Sequence, residues 1–226
     1  MFFYLQSKAM IFDTRYAAGE HLSILIKNKI HDLTDTIILW ILNWWAQVTQ
    51  KVSENLWKPT TFVAIKWILH QTYKVWAITH DGLTVYNKAL IWKLWLDPQQ
   101  VKDLELEAFN DAKNEKEKFD LHFKDFTWKQ VIIVDDWVVS GLTAAVAAKY
   151  AKQNWASRII LTVPIMNAKV LWPLNNLYDE IIVAETIEDR NFWLSKFYLS
   201  YYSLTTEDVY EIIHKLKEQW LFISNN

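Results

Sequence analysis

Hydrophobic and polar positions along the chain alternate between two kinds of segment. Short runs rich in β-branched and apolar residues are typical of buried strands, and longer stretches with apolar residues at helical spacing separate them. Strands are predicted near Thr36 to Leu42, Thr61 to Lys66, Gln130 to Asp135, Arg158 to Val163 and Glu180 to Ala184. Helices are predicted near Thr14 to Lys29, Ala46 to Leu56, Ser140 to Asn154 and Thr205 to Lys217. This alternation predicts an α/β fold: a doubly wound, mainly parallel five-stranded sheet with helices on both faces.

Two segments interrupt the alternation. Lys74 to Tyr86 has the pattern of a hairpin that turns at Asp81-Gly82. Residues 98–120 are rich in Glu, Lys and Asp, and predict a helical insertion with one buried stripe. Because no linker-like composition divides the chain, we expect residues 1–226 to form a single domain.

Charge and composition narrow the classes of function. The net charge of −2 gives no electrostatic footprint for nucleic acid. The absence of cysteine excludes disulfides and thiolate metal sites. No apolar run reaches the roughly 18 residues of a membrane-spanning helix, and the first residues lack the order of a signal peptide. We therefore expect a cytoplasmic protein without nucleic-acid or membrane partners.

The segment with the clearest chemistry is residues 131–143, Val-Ile-Ile-Val-Asp-Asp-Trp-Val-Val-Ser-Gly-Leu-Thr. Four β-branched residues predict a strand buried on both faces, and the residues after the segment are strongly helix-forming. The loop therefore precedes a helix N-terminus, where unpaired backbone N–H groups bind phosphate well. Asp135 and Asp136 leave the strand just before this loop, where carboxylates can accept hydrogen bonds from ribose hydroxyls. The pattern favours a site for a ribose that carries a 5′-phosphate.

This segment resembles the 5-phosphoribosyl 1-diphosphate (PRPP) signature of type I phosphoribosyltransferases. The resemblance to that family extends over about residues 11–215, which it implies are the core of the domain. The resemblance implies a small hood beside the main sheet and transfer of the phosphoribosyl group to a nitrogenous base with release of diphosphate. It assigns the ribose to Asp135 and Asp136, and the 5′-phosphate to Val139, Ser140, Gly141, Leu142 and Thr143. It also implies Mg²⁺ carried mainly by PRPP rather than by a protein cage, and it allows a homodimer. The alternative for this segment is an ordinary strand-to-helix turn.

A second, partial resemblance concerns the diphosphate. With Trp taken as Gly, Asn43, Trp44 and Trp45 resemble the family's diphosphate loop, in which small residues let backbone amides approach the leaving group. Related members carry Pro-Arg where this chain has Leu42-Asn43, so Lys66 is the candidate that replaces the missing cation; a solvated strand end is its alternative. Arg15 could reach a phosphate or a base, but the preferred interpretation is a surface residue. Val139 stands where purine-using members carry an acid, so the acceptor is not identified.

Tryptophan is unusually frequent in this chain and glycine unusually rare. The chain has 14 Trp and 3 Gly, whereas glycine usually makes up about 7% of residues. Trp57, Trp95, Trp128 and Trp155 stand at predicted turns and helix ends, where left-handed backbone favours glycine. Trp40 and Trp137 are also expected at turns or caps.

Our hypothesis is that most or all of these tryptophans are glycines, encoded by UGA codons that were read with the wrong genetic code. One alternative code reads UGA as glycine. The competing interpretation is a genuinely Trp-rich protein that binds aromatic ligands or a membrane interface, which would cluster its indoles on one face. The tryptophans instead spread from Trp40 to Trp220.

Two functions remain open at this stage. The first is a phosphoribosyltransferase-like enzyme that relies on positioning and charge stabilisation. The second is a non-catalytic module on the same fold that senses PRPP or a nucleotide.

Overall fold

A computed structural model describes residues 11–42, 46–70, 73–119, 123, 125–188, 193–200 and 202–224. The strands are β1 (Thr36–Leu42), β2 (Thr60–His70), β3 (Tyr73–Thr79), β4 (Thr84–Tyr86), β5 (Gln130–Val134), β6 (Arg158–Asn167) and β7 (Glu180–Ile187). The helices are α1 (Arg15–Lys29), α2 (Ala46–Leu56), α3 (Lys88–Lys93), α4 (Pro98–Lys118), α5 (Leu142–Gln153), α6 (Ala168–Asn175) and α7 (Thr206–Glu218).

The strands form one sheet in the order β4-β3-β2-β1-β5-β6-β7. Strands β2, β1, β5, β6 and β7 are parallel, which confirms the predicted α/β class and mainly parallel sheet. The predicted count of five strands is wrong, since the sheet has seven. The hairpin expected at Lys74 to Tyr86 supplies β3 and β4, and β2 continues to His70, where it pairs with β3 in antiparallel fashion. The hairpin therefore extends the main sheet.

Alternate residues of β5 face two separate hydrophobic cores. Val131 and Ile133 pack in the cluster that includes α5, whereas Ile132 and Val134 pack in the cluster that includes α1 and α2. All four of these side chains are fully buried. Because both faces of the strand are covered, its near-continuous apolar sequence is the one that a central parallel strand requires.

Helix α4 lies in the segment that was predicted to form a helical insertion, and it packs on β2 and β3. Its buried positions are Ala108 and Ala112, while the side chain of Leu106 is 61% exposed. Helices α3 and α6 were not predicted from the sequence, because both are short and α6 also contains Pro173.

A small cap covers the C-terminal ends of β6 and β7. Phe12 pairs with the segment around Tyr198, since its backbone N–H donates to the carbonyl of Phe197 at 2.8 Å. Phe197 and Tyr198 are buried against Ile165 of β6. These aromatic side chains therefore pack within a hydrophobic cluster. Within the described residues, no helix is both long enough and apolar enough to cross a membrane.

Five tryptophans have a left-handed backbone. Their φ angles are 53° at Trp57, 51° at Trp95, 63° at Trp128, 68° at Trp155 and 59° at Trp220. In the described part of the chain, every residue other than glycine with positive φ is a tryptophan. The five are at least 68% exposed, so packing gains little to offset the strain. The left-handed backbone expected at four of these positions is thus confirmed, and Trp220 adds a fifth.

Trp57, Trp155 and Trp220 lie at helix C-termini that share one hydrogen-bond pattern. The backbone N–H of the following residue donates to a carbonyl five positions earlier: Lys58 to Ser53, Ala156 to Ala151 and Leu221 to Leu216. This is the bond that a left-handed residue just after a helix makes possible, and glycine is the residue that occupies that position most often.

Other tryptophans do not follow this pattern. Trp40 lies within β1 and Trp76 within β3, and both are almost fully buried. The expectation that Trp40 occupies a turn is therefore wrong. Trp44 and Trp45 lie outside the described residues.

We predict that Trp155→Gly increases the free energy of unfolding by about 1 kcal/mol or more, because it removes strain at positive φ. Trp172→Gly is the matched control: Trp172 is 77% exposed but lies within α6, outside the positive-φ set. Glycine there should lower the free energy of unfolding by about 0.5–1 kcal/mol. Urea unfolding measures both, and a change of the same sign in the two variants would contradict the strain argument.

Candidate functional site

A cavity of about 180 Å³ lies where β5 ends and the chain turns into α5. Residues 135–141, with Thr143 and Ala144, line one side of it. Trp67 of β2 and Lys74 of β3 complete the wall. The fold therefore brings together most of the residues that the sequence pointed to, at the carboxyl end of a central strand. Among the residues expected at the 5′-phosphate, Leu142 is the exception, since its side chain packs in the hydrophobic core.

The loop before α5 has the geometry of an anion site. Gly141 precedes the helix with φ of 74°, and no side chain caps the first turn. The N–H groups of that turn have no partner within the helix and carry the positive end of its dipole. Ser140 is exposed and Thr143 half-buried, so both hydroxyls lie near the cavity. A Cβ on Gly141 would lie 3.4 Å from Val170 of α6 and would be strained at this φ, so the position requires glycine.

Strand β6 holds this loop in place. The N–H of Val138 donates to the carbonyl of Ile165 at 2.9 Å, and the N–H of Asn167 donates back to Val138 at 2.8 Å. These bonds exist because β6 continues to Asn167, four residues beyond its predicted end at Val163. The hydroxyl of Tyr178 also donates to the carbonyl of Ala144 at 2.6 Å.

The two carboxylates occupy different environments. Asp135 lines the cavity, and one of its oxygens accepts the N–H of Asp136 at 2.9 Å. The side chain of Asp136 is fully buried and lies 3.7 Å from Nε of Arg15. Burial, reinforced by the charge of Asp135, raises the pKa of Asp136 well above its usual value, although Arg15 opposes the shift. Asp135 is therefore the carboxylate better placed to meet a ligand.

Arg15 is buried, which corrects its interpretation as a surface residue. Its Nη1 donates to the carbonyl of Tyr202 at 2.8 Å, and its guanidinium carbon lies 5.4 Å from the ring centroid of Tyr198. Tyr198 in turn donates its hydroxyl to the carbonyl of Asp136 at 3.3 Å. Arg15 thus ties α1 and the C-terminal segment to the acidic pair.

Lys66 does not line the cavity. Its ammonium lies 3.0 Å from a carboxylate oxygen of Glu115 on α4, so the structure does not support the expectation that it meets the leaving group. Lys74, which the sequence analysis did not single out, lines the cavity instead. The alternation of side chains along β2 could have excluded Lys66. Its neighbour Trp67 lies on the cavity side of the strand, so Lys66 lies on the other side. Asn43, Trp44 and Trp45, the expected diphosphate loop, lie outside the described residues.

The donor set suits a Mg²⁺ ion that a phosphorylated ligand brings with it. Among the described residues no cluster of three or more His, Asp or Glu could bind a metal. Both carboxylate oxygens of Asp136 are buried and accept no hydrogen bond from the described residues. Mg²⁺ commonly binds one or two carboxylates and completes its shell with phosphate oxygens and water. Asp135, and Asp136 if its oxygens become accessible, are the residues that fit this role.

Comparison with known proteins gives a fold and a distant relationship. No family model matches the chain. Two Mycobacterium tuberculosis proteins, from strains CDC 1551 and H37Rv, are provisionally named phosphoribosyl transferases; each is 23% identical over 184 residues, which is 78% of this chain. The chain spans 40% of the length of these relatives.

Among solved structures, TT1426 from Thermus thermophilus matches with a TM-score of 0.73 and 18% identity, over 91% of this chain and 99% of that protein. A purine phosphoribosyltransferase from Pyrococcus horikoshii matches with a TM-score of only 0.46 and 14% identity, over 79% of this chain and 88% of that protein. The chain therefore shares the fold of TT1426 and has weak sequence similarity to provisionally named phosphoribosyl transferases.

We predict that Arg15→Met destabilises the protein by about 3–5 kcal/mol, because it leaves the buried Asp136 without its cation. Lys129→Met is the control: Lys129 forms a 2.7 Å ion pair with Asp35 at the surface, and its loss should cost about 0–1 kcal/mol. Urea unfolding gives both values. Equal losses in the two variants would show that the Arg15 pair contributes no more than a surface pair.

Proposed function

We propose that this chain is a phosphoribosyltransferase-like enzyme that transfers the 5-phosphoribosyl group of PRPP to a nitrogenous base or a similar acceptor, with release of diphosphate. The observation that carries the proposal is the order of parts at one strand end. A cavity-facing carboxylate, Asp135, is followed within six residues by a glycine with positive φ and an uncapped helix N-terminus. A ribose 5-phosphate carries both groups that these parts can bind: hydroxyls for the carboxylate and a phosphate for the helix N-terminus.

In this proposal each part of the site meets one part of the substrate. Asp135 accepts hydrogen bonds from the ribose hydroxyls, directly or through hydrated Mg²⁺. The backbone N–H of Asp136 donates to the carboxylate of Asp135 and helps to orient it. Backbone N–H groups from Val139 to Thr143 bind the 5′-phosphate. Among the described residues that line the cavity, none is a histidine or a nucleophilic thiol, which suits a reaction that depends on positioning and electrostatics. The cytoplasmic location and the homodimer stay predictions.

The competing proposal is a non-catalytic module that senses PRPP or a nucleotide. One observation favours it: Lys66, the cation expected at the leaving group, is engaged by Glu115. Such a module keeps the phosphate loop and binds PRPP without releasing diphosphate.

We expect the protein to bind PRPP in the presence of Mg²⁺, and Asp135→Asn to weaken that binding about tenfold or more. Binding of inorganic phosphate should change little, because the loop amides bind the phosphate while the carboxylate binds the sugar. Calorimetry measures both ligands, and Asp111→Asn, on the exposed face of α4, serves as the control. Equal losses for PRPP and phosphate would rule out this division of roles.

Diphosphate release then separates the enzyme from the sensor. PRPP is supplied with a panel of purine and pyrimidine bases, and free diphosphate is measured. Release that depends on one base identifies an enzyme and its acceptor class. PRPP binding without release for any base favours the sensing module.

We also propose that the protein carries glycine at most of its tryptophan positions. Two observations support this. The five non-glycine residues with positive φ among the described residues are all tryptophan. The cavity of about 180 Å³ is smaller than the roughly 300–1,000 Å³ typical of small-molecule sites, and the indoles of Trp67 and Trp137 form part of its wall. Glycine at these two positions would enlarge it.

The gene and the natural protein test this proposal together. We expect UGA codons at Trp57, Trp95, Trp128, Trp155 and Trp220, and glycine at these positions when the protein isolated from its source is sequenced by mass spectrometry. Trp40 and Trp76, which are buried in strands, show whether the replacement extends to the core. UGG codons at the five left-handed positions would disprove the idea, and the site would then have to accommodate real indoles.

A further inference from the structure

The ammonium of Lys74 occupies an unusual position at the edge of the cavity. Its Nζ lies 4.0 Å from the centroid of the Trp67 ring, at cation–π distance. No hydrogen bond or ion pair within the described residues engages it. Burial lowers the pKa of Lys74, although the nearby charges of Asp135 and Asp136 oppose the shift. The group is thus held partly out of water beside the cavity without a strong partner.

The charges around the cavity make this lysine decisive for anion binding. Of the described side chains that line it, Asp135 and Asp136 are acidic and Lys74 is the only cation. Arg15 does not line the cavity, because it lies behind Asp136 and donates to Tyr202. Asp135 faces the ligand and Asp136 lies buried behind it, so a cation on the facing strand would offset the repulsion between these carboxylates and a ligand with several phosphate charges.

The two anionic ends of PRPP differ in what the cavity offers them. The 5′-phosphate is matched by the amides of the α5 N-terminus and by the hydroxyls of Ser140 and Thr143. Within the described lining, the remaining charged donor is Lys74, which projects from β3 across from the acidic pair. An ammonium on a paired strand of the sheet is also better fixed than one on a loop.

We propose that Lys74 binds the diphosphate group of PRPP and stabilises the charge that develops on it as it leaves. This inference rests on the proposed function. In the step concerned, the bond between C1 of the ribose and the diphosphate oxygen breaks, and its electron pair departs with that oxygen. A bond forms between C1 and a nitrogen of the acceptor base, which loses its proton to solvent. Lys74 acts on the departing oxygens, where negative charge increases.

The test compares three ligands with Lys74→Met, which keeps the apolar stem and removes the charge. In the presence of Mg²⁺, we expect affinity for PRPP and for pyrophosphate to fall about tenfold to a hundredfold, and affinity for ribose 5-phosphate to be unchanged. Lys74→Arg should restore most of the loss. Lys149→Met is the control, because Lys149 lies on α5 with its ammonium 3.2 Å from the carbonyl of Thr84, outside the cavity lining.

Repeating the comparison in a Trp67→Gly background separates the charge from the indole. An equal loss on Lys74→Met in both backgrounds supports direct contact between the ammonium and the ligand. A loss that disappears when residue 67 is glycine would mean that Lys74 acts only by holding the indole, and the proposal would fall.

The other outcomes are also decisive. An equal loss for ribose 5-phosphate would reassign Lys74 to the 5′-phosphate and overturn the inference, as would unchanged PRPP affinity in Lys74→Met. A protein that binds pyrophosphate through Lys74 but does not bind PRPP would retain the diphosphate site and refute the proposed function. Binding of neither ligand by the unaltered protein would overturn both.

Discussion

Burial of β5 on both faces is the constraint on which the candidate site depends. Val131 to Val134 are fully buried between two hydrophobic cores and pair with β1 on one side and β6 on the other. Such a strand has one register that keeps its backbone bonded and its side chains packed. Its end is therefore fixed in space, and Asp135 leaves the sheet at a defined point. Ligand sites of open parallel sheets lie outside these carboxyl ends.

The fold gives the adjacent residues Asp135 and Asp136 different environments, although the two side chains are chemically identical. Successive side chains point in opposite directions as the strand ends, so Asp135 turns towards the cavity and Asp136 towards α1. The inward carboxylate requires a cation, which Arg15 provides, and Arg15 requires an acceptor, which is the carbonyl of Tyr202. A polar network of this kind joins three distant parts of the chain. Its members are strongly interdependent, because an unpaired buried charge is costly.

Backbone sterics connect the fold to the unusual composition. Gly141 has a left-handed backbone at the centre of the candidate site, where a side chain would approach α6. Elsewhere the same backbone geometry is occupied by tryptophan at helix ends and turns, with the indoles directed into solvent. The left-handed backbone is required by the turns and helix ends that connect strands and helices. The requirement therefore holds whichever residue occupies the position.

The sequence by itself determined the α/β class, the five parallel strands and the helices α1, α2, α4, α5 and α7, because each depends on local periodicity and propensity. It also located the loop of the candidate site, since strand, acidic pair, glycine and helix are contiguous there. Only the tertiary structure decided that the hairpin joins the main sheet, that Asp136 turns inward to Arg15, and that Lys74 rather than Lys66 reaches the cavity. These three results depend on the pairing of β2 with β3 and on contacts between residues more than a hundred positions apart. A local pattern in a single sequence carries no information about contacts between residues so far apart along the chain. Which charged side chains reach the cavity could therefore be seen only in the fold.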